Sequence, residues 1–257
     1  MPQKDEKRSR YVQETAALRI EGDSASEVKI PIISEATVEL RLNGEHFADA
    51  RCMPSDLDRM AVGYLVSEGI LRQAAELTSV RVDDEKAIVD VTANVPEDRL
   101  RGAQDHMKPA GPEMTMDAKR VMALGHEFDN RPGLYKKTRC VHSAALSDGE
   151  RILYFFEDLG RHNAVDKTVG AAFMDGRNLG EMLLLCTGRF PFDMVAKVAQ
   201  AGFPIVISPA AATREGILLA EKFHITLCGR VRKNSMNVYS ANWRISAAIR
   251  PPSTQRV

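Results

Sequence analysis

The sequence predicts an α/β protein in which a smaller α+β domain precedes a larger α/β domain, and three observations lead there. Residues 36–53 alternate apolar and polar side chains about Asn43-Gly44, a two-residue hairpin signal. From Val141 onward, short apolar runs alternate with segments of helical periodicity, the pattern of βαβ units. The chain of 257 residues with 44% hydrophobic content is long enough to bury a real core. The resulting division is a disordered start over 1–26, a small α+β domain over 27–112 and an α/β domain over 113–257.

In the first part, Val38, Leu40 and Leu42 share one strand face, and the return strand runs through Phe47 and Cys52. Pro54-Ser55-Asp56 opens a helix with Ser55 as its cap. Leu57, Met60, Ala61, Tyr64 and Leu65 line one helix face until Gly69 stops it. Residues 79–82 and 87–91 make a further hairpin. Residues 94–115 hold Pro96, Pro109, Gly111 and Pro112 among charges and read as a mobile loop or interdomain connection. Thr115 or Asp117 caps a helix carrying Val121, Leu124 and Phe128, which ends over 130–133.

The second part reads as a strand from Val141, a turn at Asp148-Gly149, strand 151–156, helix 163–174 capped by Asn163, strand 182–186, helix 191–201, strand 205–208, helix 213–223 and strand 225–228. The alternation predicts a mostly parallel sheet, with ligands beyond the carboxyl ends of its strands. Four loops meet there: 157–163, 187–189, 208–213 and 229–234. They carry Arg161, His162, Arg189, Arg214, Arg230, Arg232 and Lys233, with Thr187, Ser208, Thr213 and Ser235 as hydroxyl partners and few opposing carboxylates. Forked guanidinium contacts and free N–H groups at helix starts suit a phosphate-rich ligand. At the centre is the strand-to-helix crossing 157–167, where Asp158, His162 and Asp166 read either as a proton relay or as a hydrogen-bonding network.

Charge and composition exclude other classes. The 35 basic and 35 acidic residues cancel, which argues against a nucleic-acid coat, although no Asp or Glu occurs from Lys222 to Val257. The apolar runs 182–186 and 205–207 fall far short of the ~20 residues of a membrane span, and the charged start has no signal-peptide core, so a cytoplasmic protein is expected. A zinc deaminase needs H-x-E with P-C-x-x-C, whereas here Ser208-Pro209-Ala210-Ala211-Ala212 follows the strand. Dinucleotide and P-loop glycine fingerprints are absent too. The four cysteines form neither a disulfide framework nor a zinc spacing; Cys186 and Cys228 end apolar runs as core thiols. Cys140 differs, because Lys136, Lys137 and Arg139 precede it and His142 follows on the same expected strand face, an environment that favours thiolate and resembles a nucleophile with its base.

Taken together, Leu42-Asn43-Gly44-Glu45, Met53-Pro54-Ser55-Asp56-Leu57, residues 63–70, Cys140-Val141-His142-Ser143-Ala144-Ala145, residues 157–167, Thr187-Gly188-Arg189 with Met194-Val195-Ala196-Lys197, Thr226-Leu227-Cys228-Gly229 and Asn237-Val238-Tyr239 resemble the formate dehydrogenase accessory sulfurtransferase family, FdhD/NarQ. The resemblance covers nearly the whole chain. It implies a three-layer αβα second domain that is cytidine-deaminase-like but zinc-less, in a homodimer. It also implies transfer of persulfide sulfur from a cysteine desulfurase to the bis-guanine-dinucleotide molybdenum cofactor required by formate dehydrogenase, with GDP as a mimic of that client. The family's cofactor-contacting segment maps onto Arg230, Val231, Arg232, Lys233, Asn234 and Ser235, beside the loop residues Arg161, His162, Asn163 and Arg189. Many members carry a C-G-x-C-G loop after the second hairpin whose first cysteine takes the persulfide, and residues 92–102 here hold no cysteine. Either Cys140 takes that role, or the protein is a non-catalytic cofactor chaperone.

Overall fold

The computed structural model describes residues 11–101, 107–111, 114–131 and 133–247. Four sheets organise them. An antiparallel arm pairs β1 (Val12–Glu21) with β2 (Ser24–Ile33). A four-stranded sheet is built from β3 (Ala36–Leu42), β4 (Glu45–Cys52), β5 (Leu77–Asp83) and β6 (Ile88–Ala93) in the order β4-β3-β6-β5. The main sheet is β13-β12-β11-β10-β8-β9, from β8 (His142–Ser147), β9 (Ile152–Asp158), β10 (Leu183–Cys186), β11 (Ile205–Ile207), β12 (Thr226–Arg232) and β13 (Ser235–Val238). A short pair joins β7 (Met116–Asp117) to β14 (Ile245–Ser246).

The helices cover both faces of the main sheet. α1 (Leu57–Ser67) lies between the four-stranded sheet and α4 (Arg161–Met174), which packs on β8, β9 and β10. α5 (Phe192–Ala201) and α6 (Arg214–Lys222) continue that layer, while α2 (Ala118–Asn130) covers the opposite face; the five-residue α3 (Leu134–Thr138) leads toward β8. Because the central strands are covered twice, they are apolar throughout. Leu184, Cys186, Val206 and Leu227 point into the core shared with α1, α4 and the small sheet, whereas Leu183, Leu185, Ile205, Ile207 and Cys228 meet Val121, Leu124 and Phe128 of α2. The first of these cores runs unbroken from Val38 to Leu227, so the small sheet and the main sheet share one interior.

Most expected elements are present, and the differences have local causes. Asn43 and Gly44 adopt φ of 54° and 85°, so Leu42 pairs directly with Glu45 across a two-residue turn. Asp117 caps α2 by accepting from the N–H groups of Lys119 and Arg120. Ser55 is not the cap of α1: the N-cap is Asp56 at φ 50°, and the buried Ser55 hydroxyl faces Lys167 instead. Nor does Asn163 cap α4, which starts at Arg161 after Gly160, because the Asn163 amide donates to Asp158 and to the carbonyl of Arg51. Residues 11–26 form the β1–β2 arm and not a disordered start; residues 1–10 lie outside the described ones. The main sheet is mixed, since only β10, β11 and β12 run parallel. Of the expected loop 94–115, residues 102–106 and 112–113 lie outside the described ones, and the buried Arg244 donates to the carbonyls of Ala110 and Met114.

Two glycines permit a close approach of backbones. A β-carbon at Gly63 would overlap the carbonyl oxygen of Asp166, and one at Gly170 would overlap that of Arg59. The crossing of α1 and α4 therefore proceeds backbone to backbone. Gly170→Ala is expected to reduce stability by at least about 3 kcal/mol, because neither backbone can retreat without opening the core. A lower urea midpoint at unchanged slope would show it.

Candidate functional site

The carboxylate of Glu157, buried at the end of β9, accepts the N–H groups of Leu134 at 2.8 Å and Tyr135 at 3.0 Å. It thereby satisfies donors at the start of α3, which has no side-chain cap of its own. A side chain at Gly133 would collide with that carboxylate, its β-carbon falling 2.6 Å from Glu157 Oε1. α3 then ends in Arg139 at φ 56°, and the turn delivers Cys140 outside the strand, which begins at His142. The expectation that Cys140 and His142 share a strand face is thus corrected. What joins them is an open cavity of about 470 Å³ lined by Asp129, Tyr135, Arg139, Cys140, His142 and Gly188, among others.

Cys140 is the exposed thiol among the four cysteines; Cys52, Cys186 and Cys228 are buried. Burial pushes each of those three thiols up to about 12. His142 is half-buried, and burial followed by the Arg161 charge holds its pKa below the ordinary 6.5. Its Nδ1 lies 3.0 Å from Thr187 Oγ1.

The four segments expected as loops do converge. Gly188, at φ 96°, lies against Arg161: a β-carbon there would sit 3.3 Å from Arg161 Cδ and 3.8 Å from His142 Cε1. The Ser208 hydroxyl donates to the carbonyl of Gly188 at 2.7 Å, Arg232 Nη1 donates to the carbonyl of Pro209 at 2.9 Å, and the Arg230 N–H donates to that of Ala210 at 2.7 Å. Gly229 makes the last approach possible, since its β-carbon would meet Ala210 O at 2.8 Å. The hydroxyls expected to bind ligand mostly hold the loops together: Thr187 bonds Ser143, Ser208 bonds Gly188, and Thr213 caps α6.

The individual candidates separate. Arg189, Arg230, Arg232, Lys233, Asn234 and Ser235 are exposed, but 229–234 is no loop: β12 runs through Arg232 and turns at Lys233-Asn234 into β13. Val231 points inward, 2% exposed, against Gly125 of α2. Asn163 is occupied by Asp158 and Arg51. His162 and Arg161 are not free of carboxylates, because Asp193 at the start of α5 lies 3.0 Å from His162 Nε2 and 3.7 Å from Arg161 Nη2. Burial and then the Lys197 charge keep the His162 pKa below 6.5 despite Asp193. Arg161 Nε is buried and makes no hydrogen bond among the described residues.

Behind this wall, Asp158, His162 and Asp166 do not line up as a relay. Asp158 pairs with Lys167 at 2.6 Å, both fully buried, and also accepts from Met53, Gly160 and Asn163. Asp166 pairs with Lys197 at 2.7 Å and accepts from Ser67. The hydrogen-bonding alternative is the one observed. Among the described residues no group of three His, Cys, Asp or Glu side chains is placed to hold a metal ion, and no helix is long and apolar enough to cross a membrane. Sequence reasoning missed α3, Asp129 and the bracing role of Glu157; a carboxylate 23 residues from the donor it satisfies leaves no local signal.

Residues 33–246 match the family model described as the FdhD/NarQ family. The sulfur carrier protein FdhD of Shouchella clausii is 34% identical over 242 residues, covering 84% of this chain and 90% of that protein. The protein of the same name from Bacillus subtilis is 31% identical over 248 residues, covering 88% and 95%. A crystal structure from Desulfotalea psychrophila, assigned as a formate dehydrogenase accessory protein, superposes with a TM-score of 0.82 at 25% identity, over 92% of this chain and 100% of that one.

Under native conditions at mildly alkaline pH, iodoacetamide should label Cys140 alone, with the other three thiols reacting only after denaturation. Peptide mass spectrometry reads this directly, and comparable native labelling of Cys52, Cys186 or Cys228 would contradict the burial described.

Proposed function

The chain belongs to the FdhD/NarQ family, and from that premise we propose that it is a sulfur carrier in formate dehydrogenase maturation, with Cys140 as the sulfur-bearing residue. One observation carries the assignment: Cys140 is the exposed cysteine, and it opens into the cavity where the basic loops converge. The relatives' shared name, sulfur carrier protein, agrees with it. A cysteine desulfurase supplies the persulfide, and the client is the bis-guanine-dinucleotide molybdenum cofactor. The client's pyrophosphates are met by Arg161, Arg189, Arg230, Arg232 and Lys233, with Asn234 and Ser235 at the hairpin turn, by forked and charge-assisted hydrogen bonds. His162, Asn163 and Val231 keep the wall in shape. Arg161 Nε, buried and without a hydrogen-bond partner among the described residues, supports an anion there.

The mixed sheet with helices on both faces supports a cytidine-deaminase-like second domain. In this reading the protein acts in the cytoplasm as a homodimer.

Incubation with a cysteine desulfurase and sulfur-labelled cysteine should place label on Cys140, and Cys140→Ala should lose both the label and support of formate dehydrogenase activity. An unlabelled Cys140 with activity retained in Cys140→Ala favours a second reading, a cofactor chaperone without sulfur transfer, for which the cysteine-free segment 92–102 speaks. Both readings expect GDP to bind and Arg232→Ala to weaken it by about 10-fold, the loss of one charged hydrogen-bonding group. Isothermal titration calorimetry measures that, and unchanged affinity would remove Arg232 from the site.

A further inference from the structure

Thr187 is the hydrogen-bond partner of the His142 ring, its Oγ1 lying 3.0 Å from Nδ1. The same Oγ1 accepts the N–H of Ser143 at 3.0 Å and lies 3.4 Å from the Ser143 carbonyl, an acceptor for the hydroxyl proton. A ring N–H in the contact to Thr187 leaves the lone pair on Nε2. The same ring lines the cavity that holds Cys140.

Resting on the assignment of Cys140 as sulfur carrier, we propose that His142 takes the Cys140 proton during sulfur uptake, and that Thr187 positions it by holding the Nδ1–H tautomer. The sulfur source is a persulfide, R–S–SH. Cys140 Sγ attacks the outer sulfur, and a Cys140 S–S bond forms as the donor S–S bond breaks. The thiol proton passes to His142 Nε2 and then to the departing thiolate. The products are Cys140–S–SH and R–SH, so atoms and oxidation states balance and neither oxidant nor reductant is required.

The groups around His142 make the protonated ring a transient. Arg161 of α4 lies beside it, Arg139 shares its cavity, and Asp129 of α2 and Tyr135 of α3 complete the ionisable lining. Burial and then the Arg161 charge oppose a standing imidazolium, so the resting ring is neutral and able to take a proton.

The test uses glutathione persulfide, with mass spectrometry following Cys140 persulfidation from mildly acidic to mildly alkaline pH. In the wild type the rate should rise through a group titrating below the ordinary imidazole value. His142→Gln should lower the neutral-pH rate by about 10²-fold, the usual scale for a lost general base, and abolish that step. Thr187→Val should slow uptake with His142 in place, and Thr187→Ser should restore it, circular dichroism confirming that each variant is folded. Nitrogen NMR of the imidazole should show Nδ1–H in the wild type. An Nε2–H tautomer, or His142→Gln with the wild-type rate and profile, overturns the proposal. Iodoacetamide reads the same pair without sulfur. If its reaction at Cys140 shows the His142 step while no persulfide accumulates, the sulfur-carrier reading fails and the proton-transfer pair stands.

Discussion

The backbone-to-backbone crossing of α1 and α4 is the constraint on which the rest of the molecule depends. Gly63 and Gly170 let the helices meet without side chains between them, and two ion pairs are buried beside the contact. Lys167 bonds Asp158, the carbonyl of Met53 and Ser55, tying the β4–α1 corner to the end of β9. Lys197 brings α5 to Asp166, which Ser67 of α1 also contacts. Removing one partner of such a pair strands a buried charge, so the geometry is held far more firmly than exposed ion pairs would hold it. The small sheet and the main sheet are joined through this seam into one core.

The site inherits its order from that seam. Asp158 is fixed by Lys167, and its neighbour Glu157, pointing the other way along β9, fixes the start of α3. α3 carries Arg139 and Cys140 to the mouth of the cavity. Adjacent residues of one strand thus serve two purposes, one facing the core and the other the site, because successive side chains on a strand point to opposite faces. The exposure of Cys140 and the burial of the other thiols follow from the same layering.

Hydroxyl groups complete the cavity wall. Thr187 joins the end of β10 to β8, and Ser208 joins the end of β11 to Gly188, so three strand ends are tied together. Exposed cations then stand on the segments tied together in this way, an arrangement suited to an anionic ligand.

The periodicity of residues 36–42, 57–65 and 182–207 was enough to locate strands and helices, because burial on one or both faces leaves a repeating apolar pattern. The hairpin at Asn43-Gly44, a cap at Thr115 or Asp117 and the core character of Cys186 and Cys228 were legible for the same reason: each depends on neighbours in sequence. The family motifs pointed to sulfur-carrier chemistry, and the isolated cation-rich setting of Cys140 singled it out. Only the tertiary structure decided that Ser55 serves Lys167 and not a helix end, that Asn163 binds Asp158, that Asp193 faces His162, and that β12 and β13 make a hairpin where a loop was expected. It also decided that Glu157 holds α3 and that Cys140 and His142 meet through a cavity and not along a strand. These are contacts between residues distant in the chain, set by the packing of whole elements, and no local pattern of residue types encodes them.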